Sequence, residues 1–334
     1  MWPGRVGRVR GRHARATHSR RNALASNPKL AVLLLAHGSP DSPADVPEFL
    51  KRITGGRPMP EAVVVEVKHR YSLIGRSPLT EITLRQGQSV QTLTGLPTYV
   101  GMRNWKPFVA EVVAQMARDG VQKAISICLA PQNSRTSVGL YRQSLGTPPF
   151  QVDFVENWHD HPLLIRAFAE KFEAGWKKAC AEAGARVPVI FTAHSVPRRT
   201  VDEGDPYEAQ AKETAAMVAM QAPSLNVEDW FFAYQSQGMS GGEWLGPTVE
   251  SVIDKLHGEG HRAVFLQPIG FVCDHVEVLY DIDIAFREYA AKKGMRLWRA
   301  ESLNDSPTFA AAVAEVVRSR LEPDKKPNLV QLGS

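Results

Sequence analysis

Apolar and polar positions along this chain follow two rhythms that take turns. The run LAVLLLAH from Leu30 is apolar throughout, as in a strand buried on both faces, and gives way to polar, proline-punctuated sequence and then helical spacing around residues 46–53. Residues 61–69 (EAVVVEVKH) fit strand and helix equally well. Helical sequence returns over 78–94, followed by strand PTYVGMR, helix PFVAEVVAQMARDG, strand KAISICLAP, a polar loop and strand QVDFVENW. A long amphipathic helix, LLIRAFAEKFEAGWKKACAEAG, then ends on glycine, which accepts the left-handed backbone of a helix stop. The second half repeats the scheme: strand VPVIFTAH, a polar loop, helix over 207–220, strand DWFFAYQSQ, helix PTVESVIDKLHGEG and strand AVFLQPIGFV. A helix, strand MRLWRA and a last helix over 306–320 complete it. Strands alternating with helices predict an α/β protein whose parallel sheets are flanked by helices.

The two halves also echo each other. LLLAHGSP (33–40) and IFTAHSVP (190–197) each end a strand on Ala-His, a small residue and a proline, with the histidines 157 residues apart. An old duplication would give two similar lobes, 29–160 and 161–325, with a cleft between them. His37, Arg103, Gln132, His194, Gln235 and Asp274 all fall at strand C-termini, the edge of an open α/β sheet where ligands bind.

Composition changes this picture little. The chain of 334 residues is long enough for two cores, and no apolar run approaches the roughly 18–20 residues that span a bilayer. Three cysteines without a CxxC pair argue against a disulfide framework or a cysteine-bound cluster and point to the cytoplasm. The formal charge of +5 is uneven: residues 1–22 hold seven arginines and no acid. Without those seven and Lys29, 32 basic side chains face 35 acidic ones, a net of −3. A nucleic-acid partner would therefore rest on residues 1–28 alone, which read as a disordered, dispensable basic extension rather than a membrane helix. Walker A, GxGxxG and zinc-spaced Cys/His patterns are absent, so nucleotide chemistry has no support.

The candidate chemistry centres on QPIGFVCDHVEVLYDIDIA (267–285). It reads as a strand, a turn at Cys273 and a helix capped by Asp274. The three- and four-residue spacing of Asp274, Glu277 and Asp281 then puts three carboxylates on one face. Such a row repels itself unless a cation passes along it. His194 at the end of the other apolar strand is its natural partner, a site for a divalent metal and protons together, with His275 supporting from behind. Arg70 and Arg76 flank a Gly and Ser-Pro turn leading into a helix, an arrangement suited to a carboxylate or phosphate. YQSQGMSGGEWLGP offers an aromatic and glycines on which a flat ligand could lie.

FTAHSVP…GDPY, YQSQ…EWLGP, PIGFVCDHVEVLYDID, RYSLIGRSPL and VGMRNWKPF together resemble the ferrochelatase family, from about Ala31 to the last helix. That resemblance implies two Rossmann-like lobes around a porphyrin cleft, and an enzyme of haem biosynthesis that inserts Fe²⁺ into the macrocycle and releases two protons. It implies that His194 and Glu277 are the catalytic and metal-site pair, with Asp274 and Asp281 an acidic track. Arg57, Arg70, Tyr71, Ser77 and Tyr141 match positions that hold porphyrin carboxylates in the monoderm-type branch. LAPQNSRTSVGLY and the LYD of VEVLYDID resemble that branch as well, so coproporphyrin III is favoured over protoporphyrin IX. The partners implied are the porphyrin and ferrous iron, with transient contact to other haem-pathway enzymes, no nucleic acid and no transmembrane segment. Iron is a substrate, and no resident cofactor or iron–sulfur cluster is expected, for no C-terminal cysteine cluster is present. There are departures: Asp41 stands where that branch often has a tyrosine, Asn104 where it has a histidine, and Ala285 interrupts the acidic series. The alternatives are a cobalt or nickel tetrapyrrole chelatase, suggested by AHGS at 36–39, and a two-lobed haem carrier that makes nothing.

Overall fold

A computed structural model describes residues 29–238 and 242–321; the expected basic extension over 1–28 and the last residues of the 161–325 lobe lie outside them. Strands β1 (Leu30–Ala36), β2 (Thr98–Met102), β3 (Lys123–Cys128) and β4 (Gln151–Val155) form one sheet in the order β2-β1-β3-β4. Strands β5 (Val189–His194), β6 (Trp230–Gln235), β7 (Ala263–Pro268) and β8 (Arg296–Arg299) form a second in the order β6-β5-β7-β8. All pairings are parallel, and the two orders are the same, as two copies of one Rossmann-like lobe require. The first lobe carries helices α1 (Val46–Ile53), α2 (Glu61–Ile74), α3 (Leu79–Thr94), α4 (Val109–Arg118) and α5 (Val138–Ser144). The rest of the chain carries α6 (Pro162–Ala183), α7 (Arg198–Asp202), α8 (Tyr207–Met220), α9 (Val249–Gly258), α10 (Val276–Leu279), α11 (Arg287–Lys292) and α12 (Pro307–Leu321). Among the described residues no helix is long and apolar enough to cross a membrane.

The continuous apolar runs of β1 and β5 are explained by what each face meets. Ala31, Leu33 and Leu35 pack with Val109, Val112, Val113 and Met116 of α4. Val32, Leu34 and Ala36 point the other way, into a core that also holds Phe191 and Ala193 of β5 and Phe265 of β7. Ile190 points away from that core, toward Val252, Ile253 and Leu256 of α9. Each sheet therefore has a private face and a shared face, separated by the two-residue period of a strand. Side chains of α6, α8 and α12 fill the shared space, with Phe172 stacked on Trp176 at 5.4 Å between ring centres.

The last helix does not remain with its own lobe. It packs on α3 as well as α6, and Arg318 donates to the Leu93 carbonyl at 2.6 Å. Arg85 of α3 pairs with Asp305 at 2.6 Å. Three local expectations change. Residues 61–69 are helical and belong to α2. Helices α5 and α7 occupy stretches that read as polar loops. The regular helix expected from Asp274 is instead the four-residue α10, with His275 at the position before it, followed by a π-helical turn over Asp281–Phe286.

Candidate active site

The C-terminal ends of β1, β2 and β3 face those of β5, β6 and β7 across a cleft of about 550 Å³. Two glycines let its walls form. Gly38 after β1 has φ +84°, and an added Cβ would lie 2.8 Å from the Trp105 backbone nitrogen. Gly270 after β7 sits so close to β5 that a Cβ would meet the Ala193 Cβ at 3.0 Å, next to His194.

His194 and Glu277 meet at this edge, with Nε2 3.3 Å from Oε1 and side chains 32% and 34% exposed. The Nδ1–H of His194 donates to the Ser195 carbonyl, so a contact donated by Nε2 to Glu277 needs the doubly protonated ring. Burial works against that charge, but the Glu277 carboxylate outweighs it and the His194 pKa is raised. Burial likewise opposes charge on Glu277, and His194 and His275 together hold its pKa well below the ordinary value. His275 donates from Nδ1 to the Cys273 carbonyl at 3.0 Å and places Nε2 3.3 Å from Glu277 Oε2. Gln235 fixes the main chain at the same point: its amide donates to the Glu277 carbonyl at 2.7 Å and accepts from Thr192 at 3.0 Å.

Asp281 lies one step along. Burial and the Glu277 charge push its carboxyl up to about 6, while Ser236, which donates to Oδ2, and Arg70 at 3.6 Å pull the other way. Asp274 does not join this row. Its carboxylate turns away from the cleft and accepts from Arg299 at 3.2 Å, Ser302 at 2.8 Å and Asn304 at 2.9 Å. The reason is that Asp274 precedes the helix, so helical spacing does not govern its direction. The acidic track in the cleft is Glu277 and Asp281.

Of the expected carboxylate-binding residues, Arg70, Tyr71 and Tyr141 line the cleft. Tyr71 lies 3.1 Å from Ser39 Oγ, and burial raises the pKa of both phenols. Arg57 and Ser77 are not among the lining residues. Arg57 is exposed beyond α1 and donates to the Thr54 carbonyl at 3.0 Å. Ser77 is buried at the start of α3, where its hydroxyl accepts from the Leu79 N–H at 3.5 Å. Asp41 also turns aside, accepting from the Trp105 indole at 2.9 Å. Two further cleft residues, His37 and Arg103, stood at strand ends within the AHGS and VGMRNWKPF motifs, without an assigned role. The Nδ1–H of His37 donates to the Gly38 carbonyl and its Nε2 accepts from Asn104, both at 3.0 Å. Burial and Arg103 lower its pKa to about 4, which keeps the ring neutral.

A carboxylate and an imidazole at one point offer two hard-to-borderline ligands, and a second acid nearby can take a proton near neutral pH. The sequence matches a family model described as Ferrochelatase over residues 29–321. A protein named Ferrochelatase from Acidobacterium capsulatum is 52% identical over 311 residues, spanning 88% of this chain and 95% of that protein. One named Coproporphyrin III ferrochelatase from a Geobacillus species is 34% identical over 310 residues, spanning 88% and 98%. The structure of SirB from Bacillus subtilis with Fe³⁺ aligns with a TM-score of 0.51 at 11% identity, covering 87% of this chain and 95% of its own, a likeness of fold.

Proposed function

This chain belongs to the ferrochelatase family, enzymes that are metal chelatases of haem biosynthesis, and from that premise we propose that its porphyrin is coproporphyrin III. In this reading His194 and Glu277 meet the ferrous iron and the leaving protons. The observation that carries it is the contact of these two side chains at the strand-end edge of the cleft.

Four ring nitrogens cannot accept a metal while two still hold protons, so bases must collect protons as the cation arrives. The ionised Glu277 draws the cation in, and His194 must give up its Nε2 proton before that nitrogen can ligate. A nitrogen and a carboxylate bind iron weakly enough to pass it on, as thiolates would not. Asp281, with a carboxyl at about 6, is matched to take up one proton at a time and pass it to solvent, a route equally open to the Nε2 proton of His194. Gln235 and His275 hold Glu277 in place and are positioning residues. Iron is a substrate, and neither a resident cofactor nor an iron–sulfur cluster enters this reading. A cytoplasmic setting suits the three free cysteines.

Support for coproporphyrin III comes from LAPQNSRTSVGLY, from the relative named for that substrate, and from Arg70, Tyr71 and Tyr141 in the cleft wall. The position of Arg57 and Ser77 away from the cleft favours a second reading, protoporphyrin IX, because it removes two expected carboxylate contacts. Anaerobic incubation with Fe²⁺ and each porphyrin, followed by absorbance, separates them. The expected result is faster metallation of coproporphyrin III, with and without detergent. A clear preference for protoporphyrin IX under both conditions would overturn the assignment.

A further inference from the structure

Among the described residues, Arg103 in the cleft wall has no counterion. Arg103 follows β2, where its backbone N–H donates to the Ala36 carbonyl at 2.9 Å. Its side chain enters the cleft and stands over the Tyr141 ring, 5.7 Å from the centroid. The Nε is buried without a hydrogen-bond partner, and among the described residues no carboxylate pairs with the guanidinium. The other arginine of the cleft is placed differently: Arg70 is half exposed, held by Glu66 at 2.8 Å and near Asp281 at 3.6 Å. Arg103 also acts on His37, whose pKa it helps to lower and whose Nε2 is held by Asn104.

A guanidinium withdrawn from water with open donors is costly unless an anion completes it. No side chain of the described protein does so, and the space in front of it is the ligand cleft. We propose that Arg103 is a carboxylate-binding residue of this site, receiving one side-chain carboxylate of the tetrapyrrole. The planar fork of donors matches a carboxylate with two parallel hydrogen bonds, which an ammonium cannot reproduce. The inference rests on the porphyrin reading but not on the choice between coproporphyrin III and protoporphyrin IX, since both carry carboxylates. It replaces the contacts that Arg57 and Ser77 do not make.

The test is equilibrium binding without metal, followed by fluorescence quenching, of coproporphyrin III and its tetramethyl ester to wild type, Arg103→Gln and Arg103→Lys. Losing one charge-assisted contact weakens binding by roughly ten- to a hundredfold. Arg103→Gln should show that loss for the acid and little change for the ester, with Arg103→Lys in between. Equal losses for acid and ester, or no loss for either, would overturn the proposal. Should Arg103→Gln fail to fold, the acid-to-ester ratio of Arg103→Lys decides: a fall supports the proposal, an unchanged ratio overturns it. Protoporphyrin IX and its dimethyl ester, titrated in parallel, keep the two readings apart. If wild type prefers protoporphyrin IX yet Arg103→Gln still lowers its acid-to-ester ratio, the coproporphyrin assignment fails and the role of Arg103 stands.

Discussion

His37 follows β1 and His194 ends β5, equivalent strands of the two lobes, yet their surroundings shift their pKa values in opposite directions. His194 faces Glu277, which raises its pKa; His37 is desolvated beside Arg103, with Asn104 occupying its Nε2, and its pKa is lowered. The two equivalent positions are therefore tuned in opposite directions. The lowered value of His37 has a consequence for stability. Between its folded value of about 4 and its ordinary value of 6.5, the unfolded chain holds a proton that the native protein does not. The contribution of His37 is thus fully present above its ordinary value and is lost as pH falls toward about 4. Replacing His37 with glutamine should shrink the stability difference between about pH 7.5 and about pH 4.5 by about 2–3 kcal/mol, read from urea unfolding. An unchanged pH dependence would mean that His37 is not the group responsible.

At the scale of elements, the segment from Asp274 to Phe286 is held from outside the cleft. Arg299 of β8 forms two hydrogen bonds to Asp283, at 2.9 and 2.8 Å, and a third to Asp274 at 3.2 Å. It thereby pins the main chain on both sides of Glu277 and Asp281, whose side chains point the other way into the cleft. Arg299→Ala would leave two carboxylates facing each other, each less than a quarter exposed. A loss of about 3–5 kcal/mol is expected in urea unfolding, the usual result of removing one partner from a buried ionic cluster. Arg299→Lys should recover only part of it, because an ammonium lacks the fork. Near-native stability of the alanine variant would show that the cluster is not holding the segment.

The same segment marks where the sequence is and is not legible. The strands were readable because their apolar runs are long and their ends punctuated. His194 and Glu277 were readable because each lies next to such an end. The direction of Asp274 was not, since a π-helical turn follows a four-residue helix and regular spacing does not apply. Arg57 and Ser77 were placed by likeness of local sequence, which does not specify which way a loop side chain turns. Arg103 lay in plain view at a strand end, but that it lacks a partner depends on residues far away in the chain.

At the scale of the molecule, a shared core joins the two lobes and sets their strand ends opposite each other. Residues of β1, β5, β7, α6 and α12 belong to that one core, and α12 packs back onto α3. The cleft therefore lies between two lobes that pack on a common core. Glu277 faces the cleft, contacts His194 and has its main chain set by Gln235. The most direct measurement is iron insertion by Glu277→Gln under single-turnover, anaerobic conditions, with melting temperature and porphyrin affinity checked on the same preparation. An amide has nearly the same shape but neither attracts the cation nor accepts a proton. A role for Glu277 in drawing the cation and accepting a proton predicts a folded protein that still binds porphyrin and metallates it at least about a hundredfold more slowly. Metallation near the wild-type rate by that folded variant would contradict it.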